Sequence, residues 1–238
     1  LSGTVRLRGR SRRGRETEGA KRRPRLKIVT AVTYNLGETS YWAKRPICKG
    51  HAIATVASRG GMGMTPEEFV GIVKKHDDFV HRRTGGVRAD LSNQDLSGLK
   101  LPKINLEHAK LTGAKFRKCV LAGANFKFAD LFGADFTDAN ASGATFERAD
   151  LRGAQFQGAN LKGANLSDAD LRPGALLAAH KRGSNANFSD AQLEDSDMHD
   201  AKLDQAEFKN ASMKRINLSG SAMHGCNLRG ADLSGANL

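Results

Sequence analysis

Residues 129–166 read ADLFGADFTDANASGATFERADLRGAQFQGANLKGANL, with a large apolar residue at nearly every fifth position and a small residue two places before it. Leu131, Phe136, Phe146, Leu151, Phe156, Leu161 and Leu166 mark the beat, and Ala141 is its one small member. A period of five fits neither the 3.6 of a helix nor the strict alternation of a long strand. Glycine recurs two places after the apolar residue, at Gly133, Gly143, Gly153, Gly158 and Gly163. Each would cost a helix about 0.8–1 kcal/mol relative to alanine, so the accumulation excludes one. The apolar centre and the small residue two before it point the same way, as in a short strand. The remaining positions face outward or turn, where glycine relieves backbone strain. A short strand and a turn, repeated, coil the chain around its own core.

Worked outward, the beat runs from Leu91 to Leu171 and again from Phe188 to Leu238, 28 units in all. The slot two before the centre is mostly alanine, with Leu99, Ile104, Cys119, Ser196, Ile216, Ser221 and Cys226 as variants and Gln94 as the polar exception. Quintets such as ADLRG (149–153), ANLKG (159–163) and ADLSG (231–235) follow the pattern A(D/N)Lxx, and in this the chain resembles the pentapeptide-repeat proteins. The resemblance covers residues 87–238. It implies an all-β fold, a right-handed parallel β-helix of square cross-section, with four quintets per coil and seven coils. At the ~4.8 Å spacing of neighbouring strands, the rod is roughly 34 Å long. Twenty residues per coil stacks Phe116, Phe136 and Phe156 in one column and Phe126 and Phe146 in another. Outside, Glu107, Lys127 and Glu147 form an expected ladder of alternating charge.

The chain divides into five expected segments: a basic leader (1–64), a capping helix (65–86), a first repeat block (87–171), a loop insertion (172–187) and a second block (188–238). Thr65-Pro66-Glu67-Glu68 is a capping box with proline at the first helical position. Phe69, Ile72, Val73, His76, Phe79 and Val80 follow at helical spacing, so an amphipathic helix is expected over 66–83, stopped by Gly85-Gly86 and covering the apolar end of the first coil. The other end stops on GANL, a full repeat unit. A homodimer through this coil and a chain that normally continues are both expectations.

The leader holds 15 of the Lys and Arg residues and 3 of the Asp and Glu, a net of +12, against +1 for the rest. It also holds Tyr34, Tyr41 and Trp42. It is read as a basic tail for nucleic acid or an anionic surface, as an Arg-rich targeting segment, or as upstream sequence with the start at Met62 or Met64.

Twelve extra residues separate Leu171 from Phe188. A turn at Arg172-Pro173-Gly174 and a short helix over 175–182 are expected there. Insertions in repeat proteins often mark the binding face, which makes Arg172, His180, Lys181 and Arg182 candidate contacts. An acidic strip follows, Asp190 to Glu207, including Asp195, Asp197 and Asp200. Phe128 and Phe132 occupy outward slots as an exposed aromatic pair.

Catalytic chemistry is missing. Cys48, Cys119 and Cys226 share no metal or redox spacing, and Cys119 and Cys226 read as core residues of a protein in a reducing, cytoplasmic compartment. The histidines are scattered, no phosphate-binding glycine loop occurs, and no apolar run reaches 18 residues. No catalytic, cofactor-binding or metal-binding residue is expected. A non-catalytic scaffold presenting a rigid surface to a protein partner is the leading reading. The resemblance adds a second, since some pentapeptide-repeat proteins mimic DNA and bind type II topoisomerases such as gyrase; the near-neutral repeats argue against it. Nucleic-acid binding through the leader is the third.

Overall fold

The computed structural model describes residues 64–174 and 184–238. The leader readings, Cys48, the short helix over 175–182 and the contacts His180, Lys181 and Arg182 lie outside the described residues.

Four parallel ladders run the length of the repeats, each made of single-residue bridges. Asp90, Lys110, Asp130, Asp150 and Asp170 pair in succession along the first, at intervals of twenty. The second starts at Asp95, the third at Lys100 and the fourth at Asn105. Twenty residues therefore make one circuit of four walls. The apolar centres point inward: Leu131, Phe136, Ala141, Phe146, Leu151 and Phe156 are completely buried. Burial weakens towards the last coil, where Met223, Leu228 and Leu233 are half-buried and Leu238 is 79% exposed, and Leu101 in the first coil is also half-buried.

Four of the five backbone N–H groups of a quintet inside the tube are paired with backbone carbonyls. In the unit around Leu111, the Leu111 N–H donates to Asp130 of the next coil, Gly113 to Phe132 of that coil, and Lys110 back to Ala89. Ala114 N–H closes the turn on the Leu111 carbonyl. The N–H one place after the centre is left; where Asp or Asn stands one place before the centre, its side chain takes that N–H. Asp90 accepts from Ser92, Asp130 from Phe132, Asn160 from Lys162 and Asn187 from Ser189 through side-chain oxygens. This is an Asx turn, and it explains the Asp and Asn of the pattern. The third turn residue has positive φ, as at Gly133 (62°). Non-glycine residues hold the same conformation at Lys118, Phe128 and Arg148.

Two phenylalanine columns fill the core. Phe116, Phe136, Phe156, Phe188 and Phe208 stack at 4.8–5.1 Å between centroids, and Phe126 stacks on Phe146 at 5.0 Å. The columns meet edge to face, as in Phe136 on Phe146 at 5.5 Å. The longer column crosses the insertion, because Gln155 bridges Asn187 and all four ladders resume in register.

Helix α1 spans Pro66–Val80. Its capping box forms as expected: Thr65 Oγ1 accepts from Glu68 N–H, and Glu68 accepts from Thr65 N–H at 2.7 Å. It ends earlier than the glycine pair suggests. Arg82, at φ 54°, takes the left-handed position, and Arg82 N–H donates to the Phe79 carbonyl. Gly86 has a different duty. Its bare Cα lies against the helix, where a Cβ would sit 2.3 Å from Phe79 N. The chain thereby returns along α1, and Val87 N–H donates to the Lys75 carbonyl at 2.9 Å.

The outer charge ladder is partial. Lys127 pairs with Glu147 at 2.8 Å, whereas Glu107 accepts from Asn125 and lies 3.9 Å from His108. The Asn125 amide reaches Glu107 from the adjacent strand, and Lys127 turns to Glu147 instead.

Candidate binding surface

The insertion leaves the tube at the corner between the first and second walls. Gly174 and Ser184 pair antiparallel, with Gly174 N–H donating to Ser184 O at 3.0 Å. Gly174 is thus extended rather than the end of a tight turn. Ser184 Oγ donates to the Gly153 carbonyl, and Gln155 Nε2 donates to Gly153 O and Asn185 O. A side chain at position 153 would meet Ser184 at 2.9 Å, so the glycine makes room for the returning strand.

Above this base the corner carries Phe132, Arg152, Arg172, Asp204 and His224, one per coil in the ladder register. Arg152 lies 5.4 Å over the Phe132 ring and forks onto Asp150 at 2.9 and 2.6 Å. Arg172 forks onto Asp170 at 2.9 and 2.7 Å. Burial pushes the Asp170 carboxyl up, but the Arg172 guanidinium and backbone N–H outweigh it and hold it below the ordinary value. Phe132 is half-buried, and its ring lies against Gly174.

The opposite corner of the first wall carries His108, Phe128, Arg148, Asp168 and Asp200. His108 stacks on Phe128 at 4.9 Å and 8° between planes. Lys127 Nζ and Arg148 Cζ approach the same ring at 5.5 and 6.0 Å, and Arg148 pairs with Asp168 at 3.3 Å. Phe128 and Phe132 are therefore not an exposed pair. Each is half-buried, and they flank the first wall with their own cations. The register contains this signal, since 132 and 152, like 108, 128 and 148, are twenty apart.

The acidic strip does not form one face, because residues 188–207 make a full circuit of the tube. Asp195 forks onto Arg215, both oxygens at 2.6 Å, at the corner of the third and fourth walls. Asp197, on the fourth wall, holds His199 at 2.8 Å and accepts from Asn217. The Asp197 carboxylate raises the pKa of His199, helped by Asp200 and Asp168. Asp204 holds His224, and Glu194 lies 3.6 Å from Lys162. Asp195 and Glu194 thus face permanent cations, Asp197 and Asp204 face histidines, and Asp190 and Glu207 accept from Asn210 and Asn227. Of the expected contacts, Phe132 and Arg172 share one corner, Phe128 and Asp200 the other, and Asp195 and Asp197 lie further round.

Among the described residues, no group of His, Cys, Asp or Glu is placed to hold a metal ion, and no helix is long and apolar enough to cross a membrane. Cys119 is buried, and burial pushes its thiol up to about 11. An apolar recess of about 280 Å³ opens at the last coil, lined by Leu218, Met223, Leu228, Leu233 and Leu238.

Four ladders, inward apolar centres and Asx turns define a quadrilateral β-solenoid. The model of the pentapeptide repeats matches in eight copies, over residues 101–138, 134–172, 184–210 and 201–238, and the chain belongs to that family. The family's fold is the right-handed quadrilateral β-helix. Among solved structures, the chain is similar to trypsin-treated QnrB1, a plasmid-mediated fluoroquinolone resistance protein, at 25% identity over 63% of this chain and 77% of that one, with a TM-score of 0.28. A pentapeptide repeat protein of Nostoc PCC 7120, alr5209, matches at 24% identity over 52% and 83%, with a TM-score of 0.30. Rfr23 of the cyanobacterium Cyanothece 51142 matches at 16% over 71% and 94%, with a TM-score of 0.31. No curated protein matches.

Proposed function

We propose that this protein is a non-catalytic scaffold that presents the first wall of its tube to a protein partner. The observation that carries this reading is the insertion. The chain leaves at Gly174 and returns at Ser184 beside Phe132, Arg152 and Arg172, while all four ladders keep their register. An excursion that costs the core nothing can vary with its partner. His180, Lys181 and Arg182, within it, join Arg172 as proposed contacts, and Phe128 and Asp200 bound the wall on its far side. Asp195 and Asp197 extend the same surface onto the fourth wall. Asp195, Asp197 and Asp204 are tied to Arg215, His199 and His224, which favours an ordinary protein surface over a mimic of nucleic-acid phosphates. In this reading α1 closes the N-terminal end of the tube, through buried Phe69 and His76.

The test uses the full chain and a Phe132→Ala/Arg172→Glu variant as baits in a lysate of the source cells. A partner retained by the wild type and lost by the variant, with unchanged circular dichroism, is expected. Equal retention by both excludes the first wall.

A further inference from the structure

We propose that His76 is an acid-released latch that holds helix α1 on the first coil. The inference rests on the reading that α1 closes the tube. His76 is completely buried, and its Nδ1 accepts a hydrogen bond from Ala89 N–H at 3.0 Å. Ala89 fills the first small slot of the repeats, so this bond joins helix to solenoid. The acceptor role fixes the tautomer: Nδ1 carries the lone pair and Nε2 the proton. Nε2 is buried without a hydrogen-bond partner, and the ring stacks on Phe79 at 5.8 Å.

Protonation places a second N–H on the ring, donor facing donor at Ala89, and a charge in a site closed to water. From α1, Asp77 favours the charged ring. From the first coil, the Glu107 backbone and, less strongly, its carboxylate favour it, and Arg88 opposes it. Burial is the largest influence, and the His76 pKa lies below its ordinary value. The sign follows. Docking is at full strength above the ordinary histidine value of about 6.5, and weakens as pH falls from there towards the lowered value, by up to about tenfold per pH unit.

Hydrogen exchange on the full chain between pH 7.5 and 4.5, corrected for intrinsic rates, tests the latch. Protection of the α1 amides should fall below about pH 6.5, while the amides of Leu121, Phe136 and Leu151 stay protected. His76→Asn, which retains an acceptor near Nδ1 but does not titrate, should abolish the fall. Loss of protection in parallel in His76→Asn and wild type overturns the latch, as does α1 protection in wild type that ignores pH. Unprotected α1 amides at pH 7.5 would instead refute closure itself. Should His76→Asn fail to dock, the wild-type ring decides by NMR. An Nε2–H tautomer whose midpoint is lowered and coincides with α1 release supports the latch. A ring titrating at its ordinary value while α1 stays protected overturns it.

Discussion

Replacing Phe136 with alanine removes the most connected ring of the core. Phe136 is completely buried, stacked on Phe116 at 4.9 Å and on Phe156 at 4.8 Å, and met edge-on by Phe126 at 5.7 Å and Phe146 at 5.5 Å. Truncating a buried phenylalanine costs about 3–5 kcal/mol in lost transfer energy and residual cavity. Ring pairs add about 0.5–1.5 kcal/mol each beyond area. Phe208 is equally buried but stacks on Phe188 alone, at 5.1 Å. Three further ring pairs at the low end of that scale make Phe136→Ala costlier than Phe208→Ala by at least about 1.5 kcal/mol. The walls are parallel ladders with no room to collapse sideways, so the cavity persists. Equilibrium denaturant unfolding of both variants, followed by far-ultraviolet circular dichroism, gives the two losses. A Phe136→Ala cost under about 1 kcal/mol, or equal costs at both sites, would refute the stacked-column account.

Other outcomes follow from the same geometry. Gly133→Ala meets no atom within 4 Å and should cost only its left-handed strain, about 1 kcal/mol, whereas Gly153→Ala also strikes Ser184 and should cost more and loosen the base of the insertion, read by thermal melting. The tube should resist acid down to the ordinary carboxylate value of about 3.9 and lose stability below it. Hydrogen bonds from the Ser92 and Ser97 hydroxyls hold Asp90 and Asp95 below their usual values; Asp135 is also lowered, because bonds from Thr137 and Arg117 overcome the upward push of its burial. A depressed carboxyl stabilises the fold above its unfolded value and ceases to as pH falls through the folded one, so in a pH series of melting temperatures the loss due to these carboxylates should begin only below about 4. A thiol reagent at neutral pH should modify half-buried Cys226 well before Cys119, whose thiolate is suppressed by burial and whose Sγ donates to the Leu96 carbonyl at 3.0 Å; mass spectrometry of the native protein at timed intervals checks the order.

The five-residue beat by itself determined which side chains form the core, because inward and outward alternation is a local property of each quintet. The twenty-residue circuit implied by the resemblance stacked Phe116, Phe136 and Phe156 on paper, and Thr65 and Glu68 could be read as a helix start, since they are neighbours in sequence. Only the tertiary structure decided what crosses the insertion and which charges pair between coils. Phe188 joins the column of Phe156 at a separation of 32 residues, because the insertion is excluded from the ladder at Gly174 and Ser184. The same closure places Arg172 in the corner of Phe132 and sends the acidic strip around the tube, so charges adjacent in sequence end on different walls. The end of α1 at Arg82, the approach of Gly86 to Phe79 and the bond from Ala89 to His76 likewise arise where the helix meets the repeats. No local period encodes such a junction, since its partners are brought together only when the chain turns back on itself.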